Sequence, residues 1–231
     1  MDYPVGKRDK TVVGFSSSML FFSHTGITLG AALLLARLTR QYSGQNKPVS
    51  NGNYRPEYAS IEKDPQKTAQ PSIKSSLIHH VDLRLLLIGS MLPDIIDKPL
   101  GHLFFGETIS NGRIFSHTGL FLIISTLLGL LLYYRFKRIG MLVLTFGVAM
   151  HLVLDQMWQD YHTLLWPMFG LTFQKNDITD WIPGMWHALL SNPWTYIPEI
   201  IGTLIIILFA CSLIRKNQLF SFFKTGKMVI K

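Results

Sequence analysis

Six side chains of a metal-binding type lie at the borders of strongly apolar segments. They are three histidines and three aspartates, namely His24, Asp94, Asp97, His117, His151 and Asp155. Imidazole nitrogens and carboxylate oxygens are common protein ligands of zinc, manganese and iron. A divalent metal lowers the pKa of its bound water toward neutrality, which makes that water a nucleophile for hydrolysis. The set is large enough for one ion, or for two ions with a bridging carboxylate, and we expect zinc or manganese.

The spacing of these residues groups them further. His151 and Asp155 are four residues apart and therefore share one face of a helix. Asp94 and Asp97 are three residues apart and share a face if the backbone after Pro93 is helical. Proline is tolerated in the first turn of a helix, and an aspartate there interacts favourably with the helix dipole. The spacing therefore allows each pair to reach a common site.

Each of these residues also has an ordinary structural explanation. A single histidine on an apolar helix is more often a hydrogen-bonded core residue than a ligand. Asp94 and Asp97 could cap a short helix, and His151 with Asp155 could form a local hydrogen-bonded pair. Ionisable groups inside apolar segments are costly, however, so a set of six at one depth favours a metal site over six separate explanations.

The elements that must position these residues are long apolar segments. Of the 231 residues, 48% are hydrophobic and only 16% are charged, which excludes a disordered chain and an ordinary soluble domain. Charged residues are absent from 11–36, 114–134, 139–154 and 200–214. Segments of this length and polarity are typical of membrane spans.

The apolar pattern predicts an all-α, polytopic helical membrane protein of the cell membrane. We expect about five transmembrane or membrane-embedded helices, at roughly Met19–Leu38, Asp82–Pro99, Arg113–Tyr134, Ile139–Asp155 and Tyr196–Ile214. The domain organisation is a polar N-terminal segment at 1–18 and one helical membrane domain at 19–231. A polar segment at 41–76, rich in proline and without apolar periodicity, interrupts that domain and is predicted to be a flexible loop.

Basic residues set the expected orientation. Arg135, Lys137 and Arg138 lie in the tight turn between the third and fourth spans, and Arg215 with Lys216 follows the fifth. The positive-inside rule places both groups in the cytoplasm. The basic residues at 7–10 would then lie outside, which is the one disagreement with the rule.

This topology predicts that all six candidate ligands meet at one face of the membrane. They lie at the starts of the inward-running first and third spans and at the ends of the outward-running second and fourth spans. The basic turn at 135–138 lies on the opposite face. Five tryptophans between 158 and 195 have the composition of an interfacial aromatic belt at the face of the site.

The net charge of +8 is therefore a topology signal, and no nucleic-acid partner is expected. The single cysteine, Cys211, excludes an intramolecular disulfide framework and a structural thiolate zinc site. Membrane lipid is the expected partner, and the sequence does not indicate an oligomeric state.

Other polar residues are candidates for contact with a substrate. Arg113 precedes the His117 motif and could hold an anionic group such as a phosphate, or it could anchor the span at the interface. Glu199 follows Pro198 and is expected to cap its own helix. Three further histidines, His102, His162 and His187, fall on the wet face of the predicted site, and their roles are left open. His79 and His80 are expected at the opposite interface.

An ordered set of motifs resembles the YdjM-like family of membrane-bound, metal-dependent hydrolases. The set comprises a histidine in a first apolar segment, Leu-Pro-Asp with a second Asp, Arg-x-x-x-His-Thr, His-x-x-x-Asp and Leu-Leu-Trp-Pro at 164–167. The resemblance covers most of 19–175 except the insert at 41–76. Many members read Leu-Pro-Asp-x-Asp-His; here Ile96 is an extra residue before Asp97, and Lys98 stands where the histidine would be.

The resemblance implies an all-helical membrane protein with a metal-dependent hydrolase activity, and it implies the same six residues as metal ligands. In the resulting hypothesis Asp97 is a further ligand or a general base, and Arg113 steadies an anionic substrate. A site at headgroup depth suggests a lipid or lipid-linked phosphoester. Two alternatives are a divalent-ion transporter, and a non-catalytic membrane protein whose polar residues join its helices. A transporter requires polar residues through the whole membrane, and few are present: Thr28, Ser125, Thr126 and Thr145.

Overall fold

The computed structural model describes residues 21–45, 81–104, 111–173 and 181–228, and every regular element in them is helical. The α-helices are α1 (Phe21–Gln45), α2 (Leu83–Pro99), α3 (Gly119–Phe136), α4 (Gly140–Leu154), α5 (Tyr161–Leu164), α6 (Trp181–Ser191), α7 (Pro193–Arg215) and α8 (Leu219–Thr225). A π-helical turn, Leu100–Phe104, continues α2, and short 3₁₀ turns lie at Phe115–His117 and Met157–Gln159. The prediction of an all-α fold is confirmed.

Three helices are long and apolar enough to cross a membrane. These segments are Phe21–Thr39 in α1, Gly119–Phe136 in α3 and Pro193–Arg215 in α7. Their apolar side chains face outward, as Leu131 of α3 does with 63% of its surface exposed. An apolar surface of this kind is stable against lipid rather than water. The shorter helices α2 and α4 complete the five predicted membrane-embedded helices.

The five helices form a bundle in which α2 packs on α4 and on α1, α4 packs on α3, and α1 packs on α7. Glycines lie at the closest contacts. A Cβ atom at Gly26 of α1 would overlap the carbonyl of Gly202 in α7, and one at Gly147 of α4 would overlap the backbone of α2 near Ser90. Small residues let helix backbones approach closely where lipid offers no hydrophobic drive for association.

Buried apolar side chains fill one end of the bundle, which we name the apolar end. Its buried residues are Leu29, Leu83, Leu86, Phe209, Leu213 and Phe222. The start of α2 is fixed there, because Asp82 caps it and Arg84 donates to the carbonyls of Phe223 and Lys224. The basic turn at 135–138 joins the end of α3 to the start of α4 and is remote from the candidate ligands.

Three predicted boundaries differ from the structure. The α-helix expected to start at Arg113 starts at Gly119, because the backbone amides of Ile114, Ser116 and His117 donate to the Asp97 carboxylate instead of entering an α-helix. Helix α7 starts at Pro193 rather than Tyr196, with the Asn192 side chain accepting from the amide of Trp194. Residues 41–45 of the predicted loop continue α1. The rest of that loop, and residues 1–18, lie outside the described residues.

Candidate metal centre

The candidate ligands meet at the end of the bundle opposite the apolar end, which we name the site end. Five of them surround one point and form what we call the ligand cluster: His24, Asp94, His117, His151 and Asp155. They come from the start of α1, the end of α2, the turn before α3, and the end of α4. All five are buried, and the three imidazoles have no exposed surface.

Two histidines lie at the middle of the cluster. Nε2 of His117 and Nε2 of His151 are 3.2 Å apart. Oδ1 of Asp94 lies 3.7 Å and 3.8 Å from these two nitrogens. Oδ2 of Asp155 lies 3.8 Å from Nε2 of His117 and 4.0 Å from Nε2 of His151. The ring of His24 stacks on that of His151 at 4.0 Å, and its Nε2 is 3.2 Å from Oδ1 of Asp155.

The atoms beside Nδ1 determine the tautomers of the two central rings. Nδ1 of His151 is 2.7 Å from the carbonyl oxygen of Ser90, which can only accept, so this nitrogen carries a proton. Nδ1 of His117 is 2.7 Å from the Asp97 carboxylate and is a donor for the same reason. In neutral rings both Nε2 atoms then present lone pairs, and those lone pairs lie close together. They repel each other unless a proton or a metal ion lies between them.

Asp97 lies behind His117, on the ring edge away from the cluster. Its carboxylate accepts from the backbone amides of Ile114, Ser116 and His117 and from Nδ1 of His117. Asp97 has no exposed surface. Asp94 and Asp97 are thus one turn apart on α2 but face different partners. A carboxylate on the second nitrogen of an imidazole fixes the ring and raises its basicity as a ligand.

Glu199 of α7 makes the corresponding contact at the first histidine motif. The expectation that it caps its own helix is wrong, because Asn192 does so; Glu199 instead accepts from the amides of Phe22 and Ser23 at 3.2 and 3.1 Å. It therefore caps α1 from a distant part of the chain. The two Ser-His-Thr-Gly segments, 23–26 and 116–119, are each held by a buried carboxylate at their backbone amides.

Two cations border the cluster on its carboxylate side. Nζ of Lys98 is 2.7 Å from Oδ2 of Asp94, and Nη2 of Arg113 is 2.8 Å from Oδ2 of Asp155. Lys98 is partly exposed and Arg113 is mostly buried. Solvent therefore reaches the cluster past Lys98 and Asp94, whereas the histidines close it from behind.

The residues present fit a metal ion. Among the described residues, Nδ1 of His24 is a buried polar atom without a hydrogen-bond partner, and Nε2 of His24 meets Oδ1 of Asp155 at 3.2 Å without good hydrogen-bond geometry. Atoms of this kind are costly unless they bind something. Two nitrogens bound to one tetrahedral zinc at about 2.0–2.1 Å lie roughly 3.3 Å apart, close to the separation of the two central Nε2 atoms. Buried histidines and carboxylates could therefore hold a divalent ion here, and its identity is not defined by the structure.

The other histidines are placed elsewhere or are not described. His162 and His187 are exposed, and His162 stacks against Tyr161. His79, His80 and the side chain of His102 lie outside the described residues. Sequence reasoning missed the ion pair of Lys98 with Asp94, although their i, i+4 spacing on one helix indicates it. It also missed the role of Glu199 at α1, which depends on which helix is the neighbour.

The comparisons with known proteins agree with this architecture. The sequence model of the YdjM inner membrane protein family matches residues 19–222, a range that includes every candidate site residue. Neither a search of curated proteins nor a search of solved structures gave a match. The family match confirms the resemblance carried by the histidine and aspartate motifs, and it agrees with the apolar helices in placing the protein in the cell membrane. The chain belongs to the YdjM family of inner membrane proteins.

Proposed function

We propose that the protein is a membrane-bound metal-dependent hydrolase. The observation that carries this proposal is the pair of lone-pair nitrogens on His117 and His151, held 3.2 Å apart by fixed tautomers. A purely structural polar network would pair each buried atom with a hydrogen-bond partner. Here Nδ1 of His24 has no hydrogen-bond partner among the described residues, and Nε2 of His24 meets Oδ1 of Asp155 at 3.2 Å without good hydrogen-bond geometry.

Each residue has a proposed role. The five residues of the ligand cluster hold zinc or manganese, and Asp97 fixes His117 as a positioning residue rather than as a ligand. When bound, the metal supplies a water nucleophile at neutral pH. Arg113 and Lys98 bind the anionic oxygens of the substrate on the open side of the cluster. Water adds to phosphorus, the ester P–O bond breaks, and the leaving alcohol takes up a proton.

The substrate class follows from where the site lies. The exposed aromatic side chains near the site end include Trp158 and Trp194, at 57% and 75% exposure. Aromatic residues of this kind concentrate at the membrane–water interface. A phosphoester attached to a lipid would present its phosphate at this depth, so we propose a lipid or lipid-linked phosphoester.

The alternative of an ion transporter has less support. Thr126 and Ser125 donate to carbonyls of their own helix, and so they do not line a path. Leu29 and Leu86 are buried among apolar side chains between the cluster and the opposite face. These contacts favour a site that is reached from one side, as a hydrolase requires, although Thr28 and Thr145 are buried polar residues.

The direct test is metal content. We expect the purified wild type in detergent to hold stoichiometric zinc or manganese by elemental analysis, and the His117→Ala/His151→Ala double variant to hold none. His187→Ala removes an exposed histidine and is the matched control, with wild-type metal content. A wild type that stays free of metal after incubation with either ion, or a double variant that keeps it, contradicts the proposal.

Activity is the second test. Phospholipids and simple phosphoesters are offered to the metal-loaded protein, and turnover is expected to stop with chelator. Arg113→Gln should keep its metal and lose affinity for the substrate. Turnover that survives both chelator and the double histidine variant would come from a contaminant.

The orientation is tested separately by labelling. With Cys211→Ser as background, single cysteines at Arg138 and at Asn192 are expected to react with an impermeant reagent from opposite faces of the membrane, Asn192 from outside. Labelling of both from the same face would contradict a site end opposite the basic turn.

A further inference from the structure

The contacts that the candidate ligands make with other protein groups limit how many metal ions can bind. This inference rests on the proposed metal site. We infer that the chain binds one divalent ion, and that the Lys98 ammonium occupies the place of a second. The sequence alone allowed one ion or two. Position 98, one helical turn after Asp94, is a lysine in this chain.

The distances among four of the five ligands fit a single centre. The separations that join the two central Nε2 atoms to each other and to Oδ1 of Asp94 and Oδ2 of Asp155 lie between 3.2 and 4.0 Å. None exceeds about 4.2 Å, which is twice a metal–nitrogen bond of about 2.1 Å. Each pair can therefore lie on opposite or adjacent sides of the same ion.

The two triads that could hold a metal share one residue. They are His24–Asp94–His151 and His117–His151–Asp155. Nδ1 of His151 donates to the Ser90 carbonyl, so its ring offers one ligand atom, Nε2, and an imidazole nitrogen binds one metal at a time. The two triads are therefore parts of one coordination sphere rather than two separate sites.

A second ion would need a bridging carboxylate, and both candidates already hold a cation. Oδ1 of Asp94 faces the histidines while Oδ2 binds the Lys98 ammonium at 2.7 Å. Oδ2 of Asp155 is likewise bound by Arg113. Ions in two-metal sites lie about 3.5–4 Å apart, bridged by shared ligands, and the Lys98 ammonium fills the place at Asp94 where a second ion would bind.

The charge balance agrees with one ion. The three aspartates of this region, with Lys98 and Arg113, leave one negative charge when the histidines are neutral. One divalent ion turns this into a single positive charge, which suits an anionic substrate. A second ion would bring three positive charges together in a buried site, where uncompensated charge is costly.

The test is the stoichiometry and the spin state of bound Mn²⁺. The wild type, stripped with chelator and titrated with Mn²⁺ in detergent, is expected to bind one ion per chain, with the electron paramagnetic resonance spectrum of isolated Mn²⁺. Lys98→Gln removes the ammonium and is expected to take up a second ion and show a spin-coupled pair. Lys98→Arg keeps the positive charge and is expected to stay at one ion.

The outcomes separate the two proposals. A spin-coupled pair in the wild type overturns the single-ion inference and leaves the proposed hydrolase intact. A Lys98→Gln protein that stays at one ion in excess Mn²⁺ overturns the role of Lys98. A wild type that binds no metal overturns the proposed function, and with it this inference. The wild-type measurement stands even if a variant fails to fold.

Discussion

Each end of the bundle holds an aspartate–arginine ion pair, and the two pairs differ in what they leave unpaired. At the apolar end, Asp82 accepts from the amide, Nε and Nη2 of Arg84, and the same arginine donates to two carbonyls beside α8. At the site end, Asp155 binds Arg113 through Oδ2, while its Oδ1 lies 3.2 Å from Nε2 of His24 without good hydrogen-bond geometry.

The two pairs differ in their burial and in how fully their polar atoms are paired. The pair at the apolar end is partly exposed and complete, so it needs nothing from outside the chain. The pair at the site end is buried and lies beside His24, whose Nδ1 has no hydrogen-bond partner among the described residues. Polar groups that are buried and incomplete are retained where they bind a ligand. Changes at the site end should therefore alter metal binding, and changes at the apolar end should alter stability alone.

The largest effect is expected from Gly202→Val. Its side chain would overlap the backbone of Phe22 and Ser23, forcing α1 away from α7 and moving His24. Overpacking of this kind costs about 3 kcal/mol, which thermal unfolding in detergent would measure. Metal affinity should fall in parallel. Gly30→Ala is the control on the same interface, because its nearest neighbour is only the end of the Ile205 side chain. A Gly202→Val protein with wild-type stability and metal binding would contradict the close contact.

Asp97→Asn tests the site end without removing a ligand of the cluster. The neutral amide holds His117 less firmly, so metal affinity is expected to fall roughly 10- to 100-fold. Competition with a chromophoric chelator measures this change. The control is Asp160→Asn, which alters the cap of α5 and leaves the cluster intact. If Asp97→Asn binds metal as the wild type does, the positioning role of Asp97 is wrong.

Glu199→Gln tests whether the contact that holds the start of α1 affects both stability and metal binding. Removing the charge at the start of α1 is expected to cost about 1 kcal/mol in the free energy of unfolding. Because His24 lies in the same turn, metal affinity should fall as well, by less than in Asp97→Asn. A variant that loses stability with unchanged metal affinity would show that the position of His24 does not depend on this contact.

The smallest effects are expected at the apolar end. Asp82→Ala removes the cap of α2 and should cost about 1 kcal/mol, whereas Asp82→Asn keeps a capping oxygen and should cost less. Neither should change metal affinity. A loss of metal binding in either variant would contradict the separation of the two ends.

The ion pair of Asp82 with Arg84 predicts that stability depends on pH. The hydrogen bond from the Arg84 side chain holds the pKa of the Asp82 carboxyl below its usual range. A lowered folded-state pKa stabilises the protein above the unfolded value of about 3.9, and this contribution is lost as the pH falls through the folded-state pKa. The difference in Tm between wild type and Asp82→Asn should therefore shrink in that acidic range. A difference that is constant from neutral pH to acid would contradict it.

The sequence predicted the elements well because charge-free segments decide where helices can lie in a membrane. It also predicted that His24, Asp94, His117, His151 and Asp155 would share one end, since a multi-pass topology brings alternate helix ends together. It could not predict that the amides before Gly119 would bind Asp97 and so delay α3. Nor could it predict that Glu199 would reach α1, because such contacts depend on which helices pack together.

The contact between α1 and α7 has a consequence for how the protein is made. Ser23 is among the first described residues of the chain, and the Glu199 carboxylate that holds its amide comes 176 residues later. The first helix therefore enters the membrane long before its partner has been synthesised. Until α7 is inserted, the start of α1 lacks its contact with Glu199, and the His24 next to it is not held in place. On the proposed function, we expect metal to bind only after α7 has been inserted, and a chain cut short before Pro193 is expected to insert without metal binding.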